Sequence, residues 1–148
     1  MSIFNDKYQT IGILCSGTFS LIFKAKEKST NKMYALKMLE NESKEAEIIY
    51  ENELKIMKNI KSKYIIELKD YFYDENNECY CILMELCDGD LRQILNEYKP
   101  KGLPLNIINK IFIQLNEALK AMRTNGYTHR DLKPYNITPK LHKSHLLL

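Results

Sequence analysis

A polar segment near residue 130 carries the side chains with the clearest chemical potential. In the run His129-Arg130-Asp131-Leu132-Lys133-Pro134-Tyr135-Asn136, a carboxylate is followed closely by an ammonium and an amide. A carboxylate beside a cation stays ionised at neutral pH, and hard oxygen ligands suit magnesium. The composition is therefore compatible with an ionised carboxylate beside a cation, and it is also that of a polar, proline-containing surface turn.

The same eight residues match the His-Arg-Asp-Leu-x-x-x-Asn catalytic loop of protein kinases without a mismatch. Resemblance to that family implies that Asp131 is the base that accepts the proton of the substrate hydroxyl, and that Asn136 is a ligand of Mg²⁺. Lys133 is similar to the lysine that helps to neutralise the transferred phosphoryl group in the family's serine/threonine version of the loop. His129 is expected to hold the loop by packing and hydrogen bonding, without proton transfer.

Residues 14–22 resemble the glycine-rich loop of the family, G-x-G-x-x-G-x-V, in a degraded form. Gly17 keeps the middle glycine, whereas Cys15 and Ser20 occupy the first and third glycine positions, and Ile22 replaces the valine that packs on the base. Side chains at glycine positions restrict the tight turn that brings N–H groups to phosphate oxygens, so weakened nucleotide binding is expected. A plain hairpin turn explains this loop when it is taken alone. The ATP-binding residues that the resemblance implies here are Leu14, Cys15, Ser16, Gly17, Thr18, Phe19, Ser20, Leu21 and Ile22.

Two charged residues fall at the family's spacing for orienting the nucleotide phosphates. The tripeptide Ala35-Leu36-Lys37 resembles the end of Val-Ala-Ile-Lys, and Lys37 follows Ile22 by fifteen residues, the interval typical of kinases. Glu53 lies sixteen residues further on, within a predicted helix. The resemblance implies an ion pair of Lys37 with Glu53 that directs the ammonium toward the α- and β-phosphates, and it includes Ala35 in the ATP site.

The segment from Ile82 to Leu91 is similar to the strand and hinge that hold adenine in this family. Met84 would guard the back of the pocket, and the main chain of Glu85 and Cys87 would bond to the base. Adenine is flat and apolar with a polar edge, so apolar walls and exposed backbone groups suit it. A buried strand running into a loop, with Asp90 as a helix N-cap only, is the alternative interpretation.

The elements that must position these residues can be predicted from periodicity. Apolar runs broken by glycines and short polar clusters predict strands, and apolar residues recurring along one side predict helices. The predicted strands are two within residues 8–25, one at 33–39, and a hairpin from 64–73 and 78–86. The predicted helices lie at residues 45–60, 91–98 and 106–124. The last helix is expected to end in a left-handed cap at Asn125-Gly126. The expected fold is α+β and protein kinase-like, with a five-stranded antiparallel sheet and one helix in residues 1–87 and an incomplete helical lobe in residues 88–148.

The bulk composition bounds the remaining classes of function. The 148 residues include 22 basic and 19 acidic ones, a net charge of +3, so neither nucleic acid nor an anionic membrane is an expected partner. No segment approaches the roughly 18 uninterrupted apolar residues of a membrane span. The cysteines at 15, 79, 81 and 87 lack metal-ligand spacing, which predicts free thiols in a reducing compartment, the cytoplasm or the nucleus.

The end of the chain departs from the family pattern. The resemblance is expected to decay after Ile137, and the 148 residues contain neither Asp-Phe-Gly nor Ala-Pro-Glu. We therefore expect a truncated serine/threonine kinase that uses ATP and Mg²⁺, acts on protein substrates, and is nearly inactive as given. The alternative is a pseudokinase-like module that binds nucleotide or partners without catalysis.

Overall fold

The computed structural model describes residues 3–17, 20–40, 44–140 and 145–147. The chain divides into two compact units, here called the first unit (Met1–Lys58 with Glu67–Leu86) and the second unit (Asn59–Ile66 with Cys87–Leu148). The division near residue 87 resembles the predicted lobe boundary. The grouping of 59–66 with the later residues was not predicted from the sequence.

The first unit contains a six-stranded antiparallel sheet and one helix. In chain order these elements are β1 (Ile3–Phe4), β2 (Tyr8–Ser16), β3 (Ser20–Glu27), β4 (Met33–Glu40), α1 (Lys44–Asn59), β5 (Leu68–Asp74) and β6 (Cys79–Glu85). The strand order across the sheet is β1-β2-β3-β4-β6-β5. Five of these strands match the predicted ones, although β5 begins at Leu68 and not at residue 64. The two-residue β1 adds a sixth strand that is too short to show a period.

The two faces of this sheet carry different clusters because successive side chains along a strand point to opposite sides. One face holds a cluster of Phe4, Tyr8, Ala25, Leu36, Cys79, Cys81 and Leu83. On the other face, Leu39 and Ile82 pack against Tyr50 and Leu54 of α1. The sheet and α1 together therefore form a core that fixes the direction of each side chain on β4 and β6.

Cys79 and Cys81 lie on the same face of β6, as their spacing predicted. They are 2% and 0% exposed, and their Sγ atoms are 3.7 Å apart. Both are free thiols, as are the two other cysteines. Their role is that of small apolar core residues.

The buried carboxylate of Asp74 attaches the N-terminal hairpin to the turn between β5 and β6. Asp74 is 2% exposed and accepts a bond from the backbone N–H of Asn5, which lies 69 residues earlier. It also accepts bonds from the backbone and side-chain nitrogens of Asn77, at 2.8 and 3.0 Å. Burial alone would raise the pKa of Asp74, but these donors outweigh burial and hold the pKa below its usual range.

Asp74→Asn is expected to lower the free energy of unfolding by about 2 to 3 kcal/mol at neutral pH, because the donors lose a charged acceptor. A carboxyl whose pKa is lower in the folded state adds stability above its unfolded pKa, and that stability is lost as the pH falls through the folded pKa. The difference between wild type and variant should therefore shrink below about pH 4. Urea unfolding of wild type and Asp74→Asn at several pH values measures this difference in the free energy of unfolding.

Glu75→Gln is the matched control, since Glu75 is the exposed neighbouring carboxyl. It should leave the free energy of unfolding within about 0.5 kcal/mol of wild type. Equal effects of the two substitutions at all pH values would contradict the role of Asp74.

The second unit carries the two remaining helices and a short hairpin. Its elements are α2 (Leu91–Glu97), α3 (Leu105–Thr124), a 3₁₀ helix (Pro134–Asn136), β7 (Thr138–Lys140) and β8 (His145–Leu147). The side of α3 carrying Ala118 and Met122 is buried, whereas Phe112 is 70% exposed. None of the helices within the described residues is both long and apolar enough to cross a membrane.

The helix ends in this unit follow their sequence signals. The Asp90 carboxylate caps α2 by accepting the backbone N–H of Gln93 at 3.0 Å. At the end of α3, Gly126 has a φ of +78° and its N–H bonds to the carbonyl of Arg123, while the N–H of Tyr127 bonds to that of Met122. This arrangement is a Schellman motif, and it confirms the predicted left-handed cap.

Candidate functional site

The ion pair predicted between β4 and α1 is present in the first unit. The Lys37 Nζ atom bonds to Glu53 Oε1, and the two side chains are 16% and 34% exposed. The pair forms because Leu54, the neighbour of Glu53, packs in the cluster that joins α1 to the sheet. The ammonium is thus held half-buried, in a fixed direction, by a carboxylate on another element.

The sheet register aligns several predicted ATP-binding residues on the face that carries Lys37. Across the strands, Cys15 pairs with Ile22, Ile22 with Lys37, and Lys37 with Ile82. Ala35, two residues from Lys37 on β4, pairs with Met84 of β6. Directly paired residues share a face of a sheet. The structure therefore places these side chains on the face of the sheet that carries Lys37.

The predicted phosphate loop connects β2 to β3. Within it, the N–H of Gly17 donates to the carbonyl of Ser20 at 2.8 Å, while Ser16 pairs with Leu21. A Cβ atom placed on Gly17 would lie 3.3 Å from the Ser20 hydroxyl, so a side chain at position 17 would require that hydroxyl to move by a few tenths of an ångström. Leu14 is 49% exposed and Cys15 is also exposed. The predicted residues Thr18 and Phe19 lie outside the described part of the chain.

The predicted hinge begins at the end of β6 with a buried residue. Glu85 is 8% exposed, and its carboxylate accepts the backbone N–H of Glu67 at 3.0 Å. The Glu85 N–H donates to the Glu67 carbonyl at 3.1 Å. A hydrogen bond from adenine to the main chain of Glu85 would therefore use the carbonyl of Glu85. Cys87 belongs to the second unit, where it is partly exposed and burial raises the pKa of its thiol.

The predicted catalytic loop holds its acidic residue by two side-chain contacts. In the second unit, Asp131 Oδ2 lies 2.8 Å from Lys133 Nζ and 3.0 Å from Asn136 Nδ2. The same Asn136 nitrogen donates to the Asp131 carbonyl at 2.8 Å. The backbone N–H of Asp131 donates to His129 Nδ1 at 3.3 Å, a contact of the loop-holding kind predicted for this histidine.

The electrostatics of this loop keep the acidic group charged. The hydrogen bond from Lys133 is the largest influence on the pKa of Asp131, and with the Asn136 bond it lowers that pKa below its usual range. The carboxylate is exposed, at 63%. Asp131 is therefore ionised and accessible at neutral pH, as a proton acceptor must be.

Backbone bonds attach the loop to the start of α2. The N–H of Leu91 donates to the carbonyl of Ile137 at 2.8 Å, and that of Asp88 to the carbonyl of Pro139 at 3.1 Å. Leu91 and Ile137 are both buried, so the contact is also apolar. Arg130, next to Asp131, has a φ of +63°, in the left-handed region that residues other than glycine rarely adopt.

Comparison with known proteins identifies the family. The family model described as the protein kinase domain matches residues 8–147. The chain belongs to the protein kinase family. Because the match extends to residue 147, it corrects the expectation that the resemblance decays after Ile137. In this part of the kinase chain, Thr138–Lys140 pairs with His145–Leu147 as an antiparallel hairpin.

Relatives of this kinase chain include enzymes named as serine/threonine kinases. It is 33% identical to cyclin-dependent kinase 1 of Encephalitozoon cuniculi (strain GB-M1), over 89% of this chain and 45% of the relative. It is 32% identical to serine/threonine-protein kinase TIO of Arabidopsis thaliana, over 89% of this chain and 10% of the relative. It is 33% identical to serine/threonine-protein kinase 10 of Danio rerio, over 90% of this chain and 13% of the relative. The kinase chain thus spans less than half the length of each.

The donor atoms of the kinase loop suit magnesium. Asn136 uses its amide nitrogen in both bonds to Asp131, which leaves the amide oxygen as its hard donor. Within the described residues, no group of three or more His, Cys, Asp or Glu side chains could hold a metal ion. Magnesium is usually bound by one or two protein side chains together with substrate phosphates, so an amide oxygen fits such a site.

One contact of the kinase loop, that of Arg92 with Tyr135, was not predicted from the sequence. The guanidinium carbon of Arg92, on α2, lies 4.5 Å from the centre of the Tyr135 ring. Tyr135 occupies one of the unspecified positions in the His-Arg-Asp-Leu-x-x-x-Asn pattern, and Arg92 is an exposed residue far from it in the chain. Neither composition nor spacing signals this pair.

Proposed function

We propose that the protein containing this chain is an ATP-dependent serine/threonine protein kinase, which transfers the γ-phosphate of ATP to serine and threonine hydroxyls of proteins. The observation that carries the proposal is the Asp131 carboxylate, exposed, ionised and bonded to both Lys133 and Asn136. A base, a cation and a hard oxygen ligand within one short loop are the groups that phosphoryl transfer to a hydroxyl requires.

Each residue of the loop has a distinct proposed role. Asp131 accepts the proton of the attacking hydroxyl, since its lowered pKa keeps it deprotonated. Lys133, 2.8 Å from that carboxylate, neutralises charge on the transferred group. Asn136 offers its amide oxygen to Mg²⁺, which supplies charge neutralisation on the triphosphate when it is bound.

The nucleotide is assigned to residues of the first unit and the hinge. Lys37, oriented by Glu53, binds the α- and β-phosphates, and its low exposure strengthens that electrostatic contact. Ala35, Ile22 and Met84 supply apolar contacts for the base from the face that carries Lys37. The backbone groups of Glu85 and Cys87 complete the proposed adenine contacts.

A non-catalytic, pseudokinase-like module is the second candidate. Its support is the glycine-rich loop, where Cys15 and Ser20 occupy positions that are glycine in the family pattern. The isolated 148-residue chain is itself expected to transfer phosphate very slowly, since it has no Asp-Phe-Gly carboxylate for the metal ions. We assign the protein to the cytoplasm, in keeping with its free thiols.

The experiment that tests the proposal is phosphate transfer from radiolabelled ATP with Mg²⁺, using the longest translated product that contains these residues. Matched peptides with serine, threonine or tyrosine as the acceptor are compared. Labelled phosphoserine and phosphothreonine, without phosphotyrosine, are expected. Nucleotide binding with no transfer to any peptide would support the pseudokinase-like alternative.

A further inference from the structure

Arg92 and Tyr135 form an exposed cation–π pair beside the catalytic loop, and neither has a role in the reaction as described above. Arg92 is exposed in the first turn of α2, with its guanidinium 4.5 Å from the Tyr135 ring centre. Tyr135 is 51% exposed and precedes Asn136, which bonds to the Asp131 carboxylate. Tyr135 is therefore the chain neighbour of a residue that bonds to the proposed base, Asp131.

The physical properties of this pair suit an anionic ligand. An aromatic ring attracts a guanidinium to its face and restricts a long, flexible side chain, while the planar set of N–H donors can still bind a carboxylate or phosphate in two parallel bonds. Among the described residues, Arg92 takes part in no ion pair. Asp90, the acidic residue nearest to it in the sequence, is engaged in capping α2.

The distribution of charge between the two units favours the same kind of ligand. The second unit has 12 basic and 5 acidic residues, a net charge of +7. The first unit has 10 basic and 14 acidic residues, a net charge of −4. A unit with excess positive charge attracts anionic peptides and raises their rate of encounter.

We propose, on the basis of the kinase activity proposed above, that Arg92, oriented by Tyr135, selects protein substrates with an acidic or phosphorylated residue close to the accepting serine or threonine. The shared chemistry is a group with two or more anionic oxygens. Arg92 binds this group, and the ring of Tyr135 acts only by positioning the guanidinium.

Equilibrium binding to the 148-residue protein tests the proposal without requiring catalysis. Three fluorescent peptides share one serine and differ in the flanking residues, which are aspartate, asparagine or phosphoserine. The aspartate peptide is expected to bind about 5-fold more tightly than the asparagine peptide, as for an exposed charge pair. The phosphoserine arm shows which anion is preferred.

Variants of the pair give the decisive comparison. Arg92→Ala should bring the affinity ratio of aspartate to asparagine peptide close to one. Tyr135→Leu should lower the ratio, because the ring face is lost, whereas Tyr135→Phe keeps the face and should keep the ratio. Arg123→Ala is the matched control, since it removes an exposed guanidinium from the same unit and should not change the ratio. Equal losses in Arg123→Ala and Arg92→Ala would overturn the proposal, as would an unchanged ratio in Arg92→Ala.

Kinetics of the longest translated product separate this proposal from the kinase activity itself. Arg92→Ala should raise KM for the aspartate peptide about 5-fold more than for the asparagine peptide, with the effect in KM rather than in kcat. If wild type transfers phosphate to both peptides with the same KM, the role of Arg92 is refuted and the proposed kinase activity stands. Peptide discrimination in binding without any phosphate transfer would refute the kinase activity, and would leave Arg92 as an anion-binding residue.

Discussion

Asp131→Asn should lower kcat for phosphate transfer about 100- to 10,000-fold, the contribution typical of a general base. Asparagine has nearly the same shape and can keep the contact with Asn136, but it cannot accept a proton and has no charge for Lys133. Because the carboxylate is exposed, the substitution should not destabilise the fold. Steady-state kinetics on the longest translated product measure kcat, and a fluorescence titration with ATP measures nucleotide affinity.

The effect of Asp131→Asn is expected in kcat and not in nucleotide affinity. Nucleotide affinity should be retained in Asp131→Asn, since the ammonium proposed to bind the phosphates is that of Lys37 on β4. Glu117→Gln, an exposed carboxyl on α3, is the matched control and should keep wild-type kcat. Retained turnover in Asp131→Asn would refute the role of that residue as the base.

Lys37→Met is the second substitution with a large expected effect. It should lower kcat/KM for ATP about 100- to 1,000-fold, the usual cost of removing one preorganised electrostatic donor. The reason is that Glu53 holds the half-buried ammonium in place, so in its proposed role the ammonium meets phosphate oxygens without reorganising. Methionine keeps an unbranched apolar stem of similar length and removes the charge together with its hydrogen-bond donors.

Two further variants define the role of the ion pair. Glu53→Gln keeps the ammonium but weakens its orientation, so a smaller loss of about 10-fold is expected. Lys55→Met makes the same change at an exposed position of α1 and should leave kcat/KM for ATP unaltered. If Lys37→Met has the same kcat/KM for ATP as wild type, Lys37 does not belong to the nucleotide site.

Much of the candidate site could be predicted because its residues are close in the chain. Asp131, Lys133 and Asn136 lie within one short loop, so their spacing alone allows the contacts of 2.8 and 3.0 Å that the structure contains. The pair of Lys37 and Glu53 is less local, and it was predictable because the family interval places them on a strand and a helix that must share a core.

The features that escaped prediction depend on residues far apart in the chain. The short strand β1 is held by Asp74, 69 residues from its partner Asn5, and two residues carry no period of their own. The contact of Arg92 with Tyr135 likewise joins residues that are far apart in the chain.

By itself, the sequence determined five strands of the first sheet, the helices α1 to α3, the N-cap of α2 and the C-terminal cap of α3, because periodicity and short-range hydrogen bonding act within a few residues. Only the tertiary structure decided which distant groups meet, such as Arg92 with Tyr135 and Glu85 with Glu67. Such contacts form when packing of the core brings the ends of long loops together, and no local pattern encodes that closure.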